Sequence, residues 1–266
     1  MARLVAALSL AVVALASSSS TLHVEAALPV PKGVWPTSTG SVTNSSAIVV
    51  RAGTVFDGKM KTYQRSDIKC TGQSEGGAAD AMFIVEAGAT LKNVIIGANQ
   101  REGVHCDKHG CTIENVWWND VCEDALTIKG GSASSVTKVL GGGARNAEDK
   151  VIQHNGLGTV QIEGFYAHDF GKLYRSCGTC GLGKQRNVVL TNVYALNPKV
   201  SVVTVNQNNQ DTAKFNNVYV KSAKGDKVKV CAWSQAVSSG EPVELGSGPK
   251  NPLCQYSTST VHFTAP

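Results

Sequence analysis

Short β-branched and apolar runs recur along the chain, each alternating apolar and polar positions, with turn residues between them. Alternation at period two is the pattern of a strand packed on one face and solvated on the other. Helix-period patterns are rare. The sharpest runs are apolar strands built around Asn-Val. Leu91-Lys92-Asn93-Val94-Ile95-Ile96 is the first, and Thr112-Ile113-Glu114-Asn115-Val116-Trp117 follows it. Ser135-Val136-Thr137-Lys138-Val139-Leu140 and Val160-Gln161-Ile162-Glu163-Gly164-Phe165 come next. Val189-Leu190-Thr191-Asn192-Val193-Tyr194 and Ala213-Lys214-Phe215-Asn216-Asn217-Val218-Tyr219 complete the series. With Asn93, Asn115, Lys138, Gly164, Asn192 and Asn217 as markers, the steps are 22, 23, 26, 28 and 25 residues. A strand unit repeating at that interval predicts a solenoid. Leucine-rich repeats share the period, but their leucine pattern is missing. The expected fold is therefore all-β: a single-domain, right-handed parallel β-helix, each turn laying its strands beside those of the turn before. A sandwich or barrel of short alternating strands is the competing architecture.

The ends of the chain differ from this repeat. Arg3 followed by the apolar run Leu4 to Ala16, the serines 17–20 and Val24-Glu25-Ala26 predict a secretory signal peptide over residues 1–26. The run is too short to span a bilayer, and no later segment is long and apolar enough to do so. Residues 27–266 then form the mature domain, which is extracellular. Residues 27–44 carry Pro29, Pro31 and Pro36 and read as an extended leader. Residues 236–266 carry Pro242, Pro249 and Pro252 and read as a C-terminal tail wrapping the solenoid, tied down through Cys254. The open ends of a β-helix need such covers, because bare strand edges invite aggregation.

The 8 cysteines all lie beyond the signal. An even count in an exported chain predicts four disulfides, with a pairing that spacing does not fix. Cys177-Gly178-Thr179-Cys180 has CxxC spacing, but a second CxxC or a zinc-spaced His pair is missing, so cystine is favoured over zinc or redox chemistry. The formal net charge of +5 requires nothing beyond solubility, though it suits an acidic polymer. Neither a helix-turn-helix, a zinc finger nor an aromatic-basic stripe points to nucleic acid.

Charged residues also recur at the coil interval. Glu102, Asp124, Lys150 and Arg175 are spaced by 22, 26 and 25 residues. Stacked strands are about 4.8 Å apart, so these four are expected on one side of the solenoid as a ladder of two acids and two bases. Glu123 adds a carboxylate beside Asp124. Successive strand residues point to opposite faces, so Glu123 and Asp124 can share a ligand only if the chain bends there. Three converging carboxylates suit a hard, oxygen-loving cation, Ca2+ before Mg2+. The competing reading is a solvated charged face. His105 and His154 read as buried hydrogen-bonding groups rather than catalysts, and of the adjacent pair Trp117 and Trp118 at least one belongs to the core.

Four segments occur in order: Glu102-Gly103-Val104-His105-Cys106; Asn115 to Ala125, which contains Trp117-Trp118 and Cys122-Glu123-Asp124; Asp149-Lys150-Val151-Ile152-Gln153-His154-Asn155-Gly156; and Tyr174-Arg175-Ser176-Cys177-Gly178. Together they resemble the pectate lyases of polysaccharide lyase family 3, secreted by plant-associated microbes, over roughly Val50 to Trp233. The resemblance implies that Glu123 and Asp124, with Glu102 as the acid before the Gly-Val-His segment, bind Ca2+. It implies roles for Lys129, Lys150 and Arg175 in handling polygalacturonate, the de-esterified form of pectin. Cys122 stands where the family pattern often has Gly.

The chemistry implied is β-elimination. The polymer has an acidic C5–H beside its carboxylate and a leaving oxygen on C4. Metal and cationic groups would stabilise the negative charge that develops. Lysine can be poised as a neutral base, whereas arginine is almost never deprotonated. Lys150 is therefore the preferred base, with Arg175 gripping the substrate carboxylate and standing as the alternative base. Lys129 would bind substrate carboxylates. Two rival functions remain at this stage. A glycoside hydrolase would need two flanking carboxylates, which Glu123 and Asp124 offer, but it leaves the basic residues without a purpose. A non-catalytic pectin-binding protein on the same scaffold would not need both Lys150 and Arg175. The chain is expected to act as a monomer on polygalacturonate.

Overall fold

The computed structural model describes residues 26–266. The segment read as a secretory signal lies outside the described residues up to Glu25. Apart from two short 3-10 turns, Ala78–Asp80 and Gly225–Lys227, the regular structure is all strand. The strands stack in parallel into a solenoid with three faces. The first face runs through Ile48–Val50, Ala81–Val85, Glu102–Cys106, Asp124–Ile128, then 150–154, 172–176 and 201–206, to Cys231–Gln235. The second includes Val136–Leu140 and Gly158–Glu163. The third includes 94–96, 116–118, 143–147 and 166–170. This is a parallel β-helix, as the periodicity predicts.

The first and second faces each send an apolar column into the interior. Phe83, Val104, Leu126, Ile152, Tyr174 and Val203 stack on the first face. Leu91, Ile113, Val139, Ile162, Leu190 and Phe215 stack on the second. All twelve are buried. Burying each such side chain contributes about 1.5–3 kcal/mol, so the repeat of an apolar residue on each of these faces in every coil is what drives the winding. Trp118 belongs to this core at 1% exposure, while Trp117 packs edge-on against Trp35 of the leader, ring centroids 4.8 Å apart.

Between the second and third faces the chain turns a tight corner. Asn93, Asn115, Asn192 and Asn217 all adopt positive φ there, between 52° and 55°. Asparagine tolerates the left-handed region because its short amide bonds locally. The amides also bond from coil to coil: Asn115 Nδ2 donates to Asn93 Oδ1 at 2.9 Å, and Asn217 Nδ2 to Asn192 Oδ1 at 2.7 Å. One sequence marker is corrected. Lys138 pairs with Thr112, three residues before the corner, and the residue in register with Asn115 is Gly141, at φ 66°. Glycine replaces asparagine at a left-handed position for a steric reason that an Asn-Val search does not see.

The tail covers the C-terminal end. Val243–Ser247 pairs antiparallel with Cys231–Gln235, Cys254–Gln255 and Val261–His262 add to the strand Thr212–Lys221, and Cys231 is bridged to Cys254. The other disulfides are Cys70–Cys122, Cys106–Cys111 and Cys177–Cys180. Four bridges thus use all eight cysteines, and the CxxC segment is a cystine.

Candidate active site

With Gly141 as the marker, Glu102, Asp124 and Lys150 each stand nine residues beyond a corner, and the strands confirm the register: Glu102 pairs with Asp124 and Asp124 with Lys150. The fourth rung is different from the expected one. Lys172, not Arg175, pairs with Lys150, and Arg175 pairs with Gln153. Counting from Lys138 had lengthened one coil step and drawn Arg175 into line. Arg175 nevertheless opens into the same cleft as Lys150 and Lys172.

Glu123 precedes the strand Asp124–Ile128, at a bend through Cys122. The bend turns Glu123 to the same cleft as Asp124, and that cleft, about 310 Å3, is lined also by Glu102, Lys129 and Lys150. Carboxylate oxygens of Glu75, Glu102 and Glu123 lie within 4.8 Å of one another. Glu75 is a residue that repeat analysis does not reach, because it sits in the non-repeating segment before the turn Ala78–Asp80. That segment is fastened over the site by Cys70–Cys122 and by Gln73 Nε2, which donates to Cys122 O at 2.6 Å. The cysteine that departs from the family pattern thus holds the segment that delivers a further acid.

Glu102 is fixed from below. Gly76 N donates to its Oε1 at 3.2 Å, and Oε2 lies 3.1 Å from His105 Nε2 and 3.4 Å from Thr127 Oγ1. His105 is buried beneath the acid, and its Nδ1 meets Asp107 at 3.2 Å. His154 has no place in the cleft; it is buried against His109 and Tyr174 at 3.2 and 2.8 Å.

Charge is tightly balanced. Lys150 Nζ meets Glu123 at 3.2 Å, Asp124 at 3.4 Å and Asp149 at 2.8 Å. Lys172 Nζ meets the other oxygen of Asp149 at 2.5 Å. Burial pulls the Lys150 amine down, but Asp124, Asp149 and Glu123 outweigh it and push the amine above the ordinary lysine range. Burial raises Asp124 well above the usual carboxylate range and raises Glu123, each only partly offset by Lys150. Burial would raise Asp149 too, yet hydrogen bonds from Lys150 and Lys172 hold it below its ordinary value. Arg175, lowered by burial, donates from Nη1 to Ser234 Oγ at 2.9 Å. Lys129 lines the cleft, and its amine has no ion-pair partner among the described residues.

The donor set fits a hard divalent cation. All candidate ligands are carboxylate oxygens. Asp124 Oδ1 is buried and accepts no hydrogen bond, its one cationic neighbour being Lys150 Nζ at 3.4 Å, which leaves room for a further positive partner. Three crowded acids repel one another until a cation joins them.

The Pectate lyase family model matches residues 32–240. The chain is 50% identical over 224 residues to probable pectate lyase D of Emericella nidulans, covering 84% of this chain and 82% of that one. It is 51% identical over 224 residues to pectate lyase E of the same organism, covering 84% of each. Among solved structures, pectate lyase PelI of Erwinia chrysanthemi in complex with tetragalacturonic acid is similar, with TM-score 0.66, 31% identity, and coverage of 84% of this chain and 68% of that one. Its isolated catalytic domain gives TM-score 0.65 at 30% identity, covering 85% and 97%.

Proposed function

The chain belongs to the pectate lyase family and is a pectate lyase, and from that premise we propose that it is a secreted, calcium-dependent enzyme cleaving polygalacturonate by β-elimination to unsaturated oligogalacturonides. The observation that carries this reading is the meeting, in one cleft, of a carboxylate cluster and a basic cluster. Glu75, Glu102, Glu123 and Asp124 form the first; Lys129, Lys150, Lys172 and Arg175 form the second. A hydrolase would not need the basic half. Glu75, Glu102 and Glu123, with Asp124, would hold Ca2+, which when bound supplies positive charge to the acids and to a substrate carboxylate.

The basic residues divide the remaining work. Lys129, free of ion pairs among the described residues, and Arg175, with its planar fork, bind uronate carboxylates on either side of the scissile bond. Lys150 takes the C5 proton. The C5–H electron pair forms the C4–C5 double bond, the C4–O bond breaks, the leaving oxygen takes a proton from solvent, and Lys150 returns its proton to solvent, so no water is consumed. Lys150 is favoured by its place between the carboxylate cluster and Arg175. Its charge is held by the acids that a cation would neutralise, whereas its burial acts in the direction of a free amine. Lys172 and Asp149 keep Lys150 in place through their shared ion pairs. The four disulfides and the apolar N-terminal run support secretion. One solenoid carries every group named, which favours action as a monomer.

The test follows formation of the unsaturated uronide by its ultraviolet absorbance. Activity should vanish after metal is stripped with chelator and return with Ca2+. Full turnover in excess chelator would reject calcium dependence, and saturated reducing ends without the absorbance would reject elimination.

A further inference from the structure

The cleft does not end at Arg175. Val200 lines both the part that holds Lys172 and Arg175 and an adjoining groove of about 260 Å3. The rest of that groove is Lys199, Lys224, Lys227, Val228 and Lys229. It continues the same face: Lys172 pairs with Ser201, and in the next coil Lys229 O accepts from Val202 N at 2.9 Å. The side of the solenoid that carries the site is therefore graded. Acids occupy the coils of Glu102 and Asp124, mixed charge the coils of Lys150 and Lys172, and lysines the two that follow.

Four ammonium groups around one groove repel one another, yet little in the fold neutralises them. Lys229 is paired with Glu244 at 2.5 Å. Lys224 Nζ donates to the backbone oxygen of Lys199 at 3.0 Å. Among the described residues the amines of Lys199, Lys224 and Lys227 have no carboxylate partner, and all three residues are exposed. Asp226 shares the short turn Gly225–Lys227 but does not line the groove.

We propose that this groove is a distal subsite for the uronate carboxylates of the same polymer chain that enters the active site, an inference that rests on the pectate lyase reading. A polyuronate carries one carboxylate per sugar, and coils about 4.8 Å apart advance by a distance comparable to one sugar unit. A chain lying along the face would meet Arg175 and Lys172, then Lys199, then Lys224 and Lys227. A clustered positive groove continuous with a cleft raises the local concentration of an anionic polymer, and salt weakens the effect. The subsite therefore acts on long substrates more than on short ones.

The experiment compares the triple variant Lys199→Gln/Lys224→Gln/Lys227→Gln with a control, Lys92→Gln/Lys138→Gln/Lys214→Gln. The control removes the same charge from the second face. The readout is the ratio of KM for polygalacturonate to KM for trigalacturonate at low salt, together with retardation in a gel containing polygalacturonate, which needs no turnover. The groove variant should raise the ratio about five-fold, lose part of its retardation, and show a shallower salt dependence; the control should leave all three as in the parent. An unchanged ratio and retardation in the groove variant, or an equal change in the control, overturns the subsite. Groove-dependent retardation in a protein that forms no unsaturated uronide would instead overturn the lyase reading and keep the anionic subsite.

Discussion

Two stacks run along this solenoid with the same period and opposite character. At the corner between the second and third faces, successive coils place Asn93, Asn115, Gly141, Gly164, Asn192 and Asn217, all at positive φ. On the first face, successive coils place Glu102, Asp124, Lys150 and Lys172. The corner repeats one solution, because each coil faces the same backbone problem and an amide or a glycine solves it. The site rung changes identity from coil to coil, because stacking like charges costs energy that only a bound cation or substrate offsets. In a repeat fold, sameness along a rung marks structure and difference marks chemistry.

The sharpest separation of the two comes from Lys150→Ala. It removes a group that is 12% exposed and tied to three carboxylates. We expect turnover to fall by about 10²–10⁴-fold while Ca2+ and polygalacturonate binding persist. Arg175→Ala should weaken binding and turnover together if its fork grips a substrate carboxylate as proposed. Near-normal kcat in the lysine variant, beside an arginine variant that binds but does not turn over, would move the base role to Arg175.

Acid should break the structural side first at a histidine pair buried inside the solenoid. His109 and His154 are buried and face each other at 3.2 Å. Burial lowers His109 to about 4 and His154 well below its ordinary value. Both are neutral in the fold, and the unfolded chain takes up protons first. Their contribution is complete above the unfolded histidine value near 6.5 and is lost as pH falls from there toward 4. For His109 the loss is about 3 kcal/mol. Urea unfolding at pH 7.5 and pH 4.5 should show it, and a double His109→Gln/His154→Gln variant should flatten that pH dependence. Equal slopes in parent and variant would exclude the pair as its source.

The smallest effect expected is at the corner. Asn115→Ala must hold alanine at positive φ and loses the bonds to Asn93 Oδ1 and from Trp117 Nε1. A cost of about 2 kcal/mol is expected with kcat unchanged, and Asn115→Gly should cost less, because glycine adopts the conformation freely. Denaturant midpoints of the two variants check this; an alanine variant as stable as the glycine one would mean that φ at the corner carries no strain.

Much of this was legible in the chain. Period-two alternation and an interval near one coil were enough for the β-helix, since both come from residues that every coil must supply. Glu102, Asp124 and Lys150 could be placed because their intervals of 22 and 26 residues are each close to one coil. Asn-Val markers overlook Lys172 and misplace Arg175 first because Gly141, not Lys138, makes the corner, and glycine and asparagine answer the same steric demand without resembling each other. A second irregularity compounds it, the register shift between Ala147 and Lys150 in their pairing with Phe170 and Lys172. Glu75 had no periodic signal at all. It reaches the site through Cys70–Cys122, and a pairing among eight cysteines is not written in their spacing.

The central claim is that the acids at the changing rung, with Glu75 brought over them, form the calcium site of the lyase. Diffraction from crystals grown with Ca2+, using the anomalous signal to place the ion, tests it most directly. The ion is expected among Glu75, Glu102, Glu123 and Asp124, with carboxylate oxygens at about 2.3–2.6 Å. A cleft that stays empty at saturating Ca2+ in active protein, or an ion bound away from these four acids, would contradict it.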